Sequence, residues 1–176
     1  LKLGIEHEVM DDNQSRLRSF VTSLHKSTAR DYFSRMADDK IQCMRVARQY
    51  EGDYWDGDRR FGYGGYRYIP GRWQPVAEAL IETYDLDDSS RVLDVGCGKG
   101  FLLTEIRQLL PGCSLEGIDI SQHAIRELRE RGEAKVRTHD AATPYPFADD
   151  SFDLVISLGC LHNLTLPKLE VALSEI

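Results

Sequence analysis

Apolar residues recur at helical spacing in three places in the first half of the chain. Leu17, Phe20, Val21 and Leu24 fall at i, i+3, i+4 and i+7, and Ile41, Met44, Ala47 and Tyr50 repeat a three-residue step. One stripe of each predicted helix then faces a partner. WQPVAEALIETY, residues 73–84, puts Val76, Ala77, Leu80, Ile81 and Tyr84 on one side of a third helix, which DLDDSS ends. Between Glu51 and Arg72 the periodicity stops, and the segment carries six glycines and six aromatic residues. That is too much glycine for a regular element and too many rings for a disordered linker, so it predicts an ordered loop over something flat.

From Arg91 onward strand and helix patterns alternate. VLDV predicts a buried strand, followed by a helix through about Leu110 that Pro111 and Gly112 stop. SLEGIDI predicts a second strand, with Ser121 as the cap of a helix carrying Ile125 and Leu128; AKVRTH and FDLVIS predict a third and a fourth. TLPKLEVALSEI predicts a last helix with Thr165 as its cap. Crossovers of this length mean an α/β fold: a Rossmann-like parallel sheet with helices on both faces. Residues 1–72 form the expected helical and aromatic lid and residues 73–176 the core. Because one helix after the fourth strand leaves unpaired backbone and an uncovered face, further C-terminal strands are expected to be missing from the chain.

Composition narrows the partners. The 176 residues are 41% apolar, and 22 basic against 29 acidic side chains give a charge of −7 with no basic block. This speaks against nucleic acid and anionic membrane as partners. Cys43, Cys97, Cys113 and Cys160 form no CxxC pair, and no apolar run approaches a membrane span, so a reduced, cytoplasmic protein without structural zinc is expected.

The candidate chemistry lies in LDVGCGKGF, residues 93–101. Gly100 stands after Lys99 where a Walker loop needs Ser or Thr, and Phe101 stands where a dinucleotide fingerprint needs its third glycine. Asp94 also precedes the turn by two residues, an anion repelling any phosphate but favouring a ligand with an ammonium or hydroxyls. VLDVGCGKG, GIDIS, HDAATPYPFADDSFDLVIS and LHNL, in this order, resemble the successive motifs of the class I S-adenosylmethionine-dependent methyltransferases, type 11 domain, over Arg91 to Ile176. The resemblance implies S-adenosylmethionine as cofactor and a role for each matching residue. Gly96, Cys97, Gly98 and Gly100 form the turn at its methionine part, Asp94 lies near its amino group, Asp119 takes the ribose hydroxyls and Ile120 packs on adenine. Asp140 and Ala141 meet the adenine edge, while Ser157 and Leu158 leave the fourth strand beside the sulfonium.

Methyl transfer is an in-line displacement that needs alignment and, for some acceptors, a base. His162, five residues after Ser157, is the base candidate. Tyr63, Tyr66 and Tyr68 with Arg67 and Arg72 are expected to close over the site, Tyr63 near the sulfonium and Arg72 on the methionine carboxylate. Lys99 is expected in solvent, and His7, His25, His123 and His139 on the surface. SLGC after the fourth strand lacks the Asn/Asp-Pro-Pro-aromatic run of base-methylating relatives, which favours a small-molecule acceptor. A homodimer stays open. Rival readings are an NAD(P)-dependent oxidoreductase of Rossmann type, a non-catalytic S-adenosylmethionine-binding subunit, and an aminopropyl-transferring relative.

Overall fold

The computed structural model describes residues 19–21 and 39–176. Four parallel strands, β1 (Arg91–Val95), β2 (Ser114–Asp119), β3 (Lys135–Thr138) and β4 (Leu154–Ile156), lie in the order β3-β2-β1-β4. Before them come α1 (Lys40–Ala47), α2 (Gly52–Trp55) and α3 (Gln74–Thr83), and between and after them α4 (Phe101–Leu109), α5 (Gln122–Arg131) and α6 (Leu166–Glu175). Each strand sends alternate residues to opposite faces, as a two-residue period requires. Val92, Leu115 and Ile156 meet Leu80, Leu103, Ile106 and Leu128 from the helices in the larger core. Leu93, Val95 and Ile118 point the other way, under Phe147 and Phe152 of the 139–153 connection, where Glu175 of α6 accepts the Tyr145 N–H at 2.6 Å. β1 and β2, inside the sheet, are buried along most of their length, whereas β3 at the edge is largely exposed.

Two local expectations differ, and a third falls mostly outside the described residues. Of the first helical stripe, Leu17 and Leu24 lie outside the described residues, while Phe20 stacks on Tyr84 at 6.3 Å between ring centres. α1 buries no residue: Ile41 and Met44 are 67% and 51% exposed, whereas Ala47 and Tyr50, further along the same stripe, are half-buried. Thr165 occupies the cap position of α6 without a side-chain capping bond, and Pro167 in the first turn fixes the helical start instead. Ser121 does cap α5, accepting the Ala124 N–H at 3.1 Å. Among the described residues no helix is long and apolar enough to cross a membrane.

Candidate functional site

The chain runs from β1 outward through β2 to β3 and then returns to the far side of β1 as β4. The carboxyl ends of β1 and β4 therefore open the crevice where ligands of such sheets sit. Three glycines shape the turn leaving β1, and each has positive φ: 79° at Gly96, 53° at Gly98 and 68° at Gly100. A side-chain carbon at Gly96 would lie 2.3 Å from Cys160 Cβ, at Gly98 2.6 Å from the Trp55 ring, and at Gly100 2.3 Å from Leu128. Gly96 and Gly98 thus keep the crevice floor low, whereas Gly100, heading α4, lets that helix close on α5. The Gly96 and Cys97 N–H groups both donate to the Ile118 carbonyl, which ties the turn to the end of β2.

Three carboxylates face this region. Asp94 is 5% exposed, and among the described residues no hydrogen-bond donor is paired with its carboxylate. Burial and the charge of Asp119 push it up to about 7. Asp119 accepts the Gly98 and Ser121 N–H groups at 2.8 Å each, and burial raises it as well. Asp140 accepts the Ala142 N–H at 2.9 Å and pairs with Lys168 at 3.4 Å. Ile120 is 48% exposed between the two sites, an apolar side chain left without cover.

Two cavities meet over the turn. One, of about 440 Å³, is lined by Gly96, Asp119, Ile120, Asp140, Ala141 and Leu158 among others. The other, of about 750 Å³, shares Gly96 and Leu158 and adds Asp94, Cys97, Gly98 and, from the preceding segment, Arg72. Tyr63 lines both. Gly100, Ser157 and His162 line neither: Ser157 donates its hydroxyl to the Val95 carbonyl at 3.0 Å, and His162 stands exposed on the 3-10 turn Leu161–Asn163. In the place expected for His162, Asn163, Leu164 and Thr165 reach the smaller cavity.

The segment before α3 covers both cavities, and its anchors were not read from the sequence. Trp55 is 7% exposed, donates Nε1 to Ser121 Oγ and to the Tyr50 carbonyl at 2.9 Å each, and stacks on Tyr63 at 5.2 Å and 3°. Glu51 accepts the Gln122 and His123 N–H groups at 3.0 Å, capping α5 from outside its own sequence. Lys99, expected in solvent, is 3% exposed: its ammonium meets both Asp56 oxygens at 2.7 Å and Glu127 at 3.0 Å. The burial follows from chemistry, since a long ammonium stem enters an interior when two carboxylates receive it. His123 joins the same group, at 2.7 Å from Asp56. The signal for Asp56 lay in EGDYWDGD, where acidic residues flank a lone tryptophan, but their partners are 43 and more residues away.

The chain is similar to several known proteins. Residues 92–176 match the family described as a methyltransferase domain. Trans-aconitate 2-methyltransferase of Mycobacterium tuberculosis is 32% identical over 108 residues, which cover 61% of this chain and 38% of that protein. Nocamycin O-methyltransferase of Saccharothrix syringae is 38% identical over 90 residues, 47% of this chain and 32% of that protein. The crystal structure of the MccD protein is similar with a TM-score of 0.51 at 29% identity, covering 62% of this chain and 49% of that one. The chain spans about half, or less, of the length of each of these relatives.

Proposed function

We propose, from the premise that residues 92–176 belong to the S-adenosylmethionine-dependent methyltransferase family, that this chain binds S-adenosylmethionine and methylates a small molecule. The observation that carries the reading is Asp94, a buried carboxylate with no partner among the described residues, at the edge of a cavity whose floor is kept low by glycine. A ligand ammonium supplies what that carboxylate lacks. A pyrophosphate at the same place would face a second negative charge, which counts against a nicotinamide dinucleotide.

The residues fit the cofactor in two halves. Asp119, already oriented by the Gly98 and Ser121 N–H groups, is placed to take ribose hydroxyls, and Ile120 with Ala141 offers apolar surface to adenine. Asp140, paired with Lys168 at 3.4 Å, would accept from the exocyclic amine of adenine. Asp94 would bind the ammonium and Arg72 the carboxylate, and Tyr63, common to both cavities, would cover the place where the halves join. When bound, the cofactor supplies an electrophilic methyl group on a sulfonium. The chain's own part is to align donor with acceptor and to exclude water, and the Trp55–Tyr63 stack does the excluding. Relatives named for trans-aconitate and nocamycin support a small acceptor. The four free cysteines support a reducing, cytoplasmic setting.

Titration calorimetry tests the reading. The chain is expected to bind S-adenosylmethionine but not a nicotinamide dinucleotide, and Asp119→Ala to weaken it about ten- to a hundredfold, as loss of charge-assisted hydrogen bonds implies. Unchanged affinity in the variant counts against the assignment.

A further inference from the structure

We infer that the acceptor is an anion carrying a carboxylate, and that the product is its methyl ester. This rests on the methyltransferase reading above and adds the acceptor's chemistry to it. The larger cavity is lined, among the described residues, by the guanidinium side chains Arg59, Arg67 and Arg72 and by a single acidic one, Asp94. That balance is the reverse of the chain as a whole, which carries −7. The cofactor's amino-acid end brings one ammonium and one carboxylate, so Asp94 and Arg72 are enough to receive it. Two guanidinium groups remain, and their planar forks match carboxylate oxygens.

The loop bearing these arginines is a built wall. Glu105 of α4 is 1% exposed and accepts the Gly71 N–H at 2.9 Å and the Tyr68 hydroxyl at 3.2 Å, so a buried carboxylate pins residues 68–71 against the helix. Tyr66 packs at a tilt on Phe101 with ring centres 4.7 Å apart, which holds the turn just before Arg67. Arg59 donates to the Gly62 carbonyl across the base of the glycine loop. Charge is thereby presented from a fixed backbone, the arrangement that lowers the ordering cost of binding.

The same lining is poor in proton acceptors. Among the described residues it contains no imidazole, and its only carboxylate is Asp94, which the ammonium would engage. Cys97 is raised well above the ordinary thiol range, and Tyr66 is pushed up to about 12, both chiefly by burial. An alcohol, phenol or ammonium acceptor would need one of these groups to take its proton. A carboxylate arrives ionised and needs none. Its oxygen forms the new C–O bond as the S–C bond breaks, the bonding pair stays on sulfur, and the two opposite charges cancel in a neutral ester and a neutral thioether.

The test uses the whole chain loaded with S-adenosylhomocysteine, which leaves the acceptor side open, and the fluorescence of Trp55 and Trp73, the two tryptophans, both of which line this cavity. Benzoate, succinate and citrate are titrated against benzamide and succinamide. The expected result is that at least one acid binds tenfold or more tighter than the amides, and that Arg59→Gln and Arg67→Gln, checked for an unchanged melting temperature, each weaken it at least tenfold. Amides that bind as well as acids, acids that bind both variants unchanged, or a loaded chain that binds no acid of the panel would each overturn the carboxylate proposal while the cofactor reading stands. A chain that fails to take up S-adenosylhomocysteine overturns both. With methyl-labelled cofactor and the acid that binds best, alkali is expected to release the label as methanol, and an alkali-stable methyl product overturns the ester.

Discussion

The crevice has two walls of different origin. The floor and far wall come from the ends of β1, β2 and β4, where function sits on glycine φ angles and on carboxylates fixed by neighbouring N–H groups. The near wall comes from residues 50–72, whose rings pack on one another and whose charges reach partners far along the chain. Both walls join residues far apart in sequence, but the first rests on the backbone of the strand ends and the second on side-chain anchors. A wall made of glycine backbone angles is expected to tolerate almost no substitution, whereas a wall held by several separate anchors is expected to lose one at moderate cost.

Gly96 gives the sharpest test of that contrast. Gly96→Ala is expected to lower cofactor affinity more than about a hundredfold, since a methyl at φ 79° meets Cys160 and stands on the cavity floor. Gly100→Ala, at φ 68° but lining neither cavity, should instead cost roughly 2 to 4 kcal/mol of stability through Leu128, with affinity of the folded fraction little changed. Calorimetry beside thermal melts separates the two. Equal loss of affinity in both would mean that all three glycines serve the ligand, as the motif alone implies.

The next effect is set by pH. Asp94 is held near 7 in the ligand-free fold, against a carboxylate value near 4 when unfolded, so the native state keeps a proton that the unfolded chain releases. Stability from this group is full below about pH 4 and is lost as pH rises through 7. An ammonium ligand must expel that proton, so affinity should climb with pH by at most about tenfold per unit up to 7 and then level off. Asp94→Asn should flatten both curves, and a wild-type affinity independent of pH between 5 and 8 would remove Asp94 from the ammonium site.

For the near wall, Asp56→Asn leaves the buried Lys99 ammonium with Glu127, at 3.0 Å, as its one acidic partner among the described residues. Loss of one such contact is expected to cost about 1 to 3 kcal/mol and to weaken the cofactor roughly three- to tenfold by loosening Trp55 over Gly98. Restoring an acid with Asp56→Glu should recover most of the affinity. Without that recovery, the ion group does not position the wall.

These two walls also mark what a sequence can disclose. Strands, crossovers, the Ser121 cap and the Asp94-to-Gly100 turn depend on residues within a few positions of one another, and all stand where the pattern puts them. The 51–72 segment was legible as ordered, because rings and glycines that close together seldom stay unstructured, yet which ring covers what was not. Trp55 gains its place from Ser121, 66 positions on, and Lys99 its burial from Asp56, 43 positions back. A polar residue's environment of that kind is a product of topology, and single-sequence spacing does not encode it.

His162 brings the smallest expected effect. Five residues beyond Ser157, it sits at a distance along the chain that suits a base beside the reacting sulfur. The backbone, however, enters the 3-10 turn Leu161–Asn163, which leaves the imidazole exposed and turns Asn163 and Leu164 to the cavity instead. A positioned general base is worth about a hundredfold or more in rate. An exposed imidazole outside both linings is expected to be worth little. His162→Ala is therefore expected to change kcat and kcat/KM by less than about threefold, with no change in the pH profile. A hundredfold loss in kcat with cofactor affinity intact would show that the turn rearranges to bring His162 to the reacting atoms, and would favour an acceptor that must lose a proton.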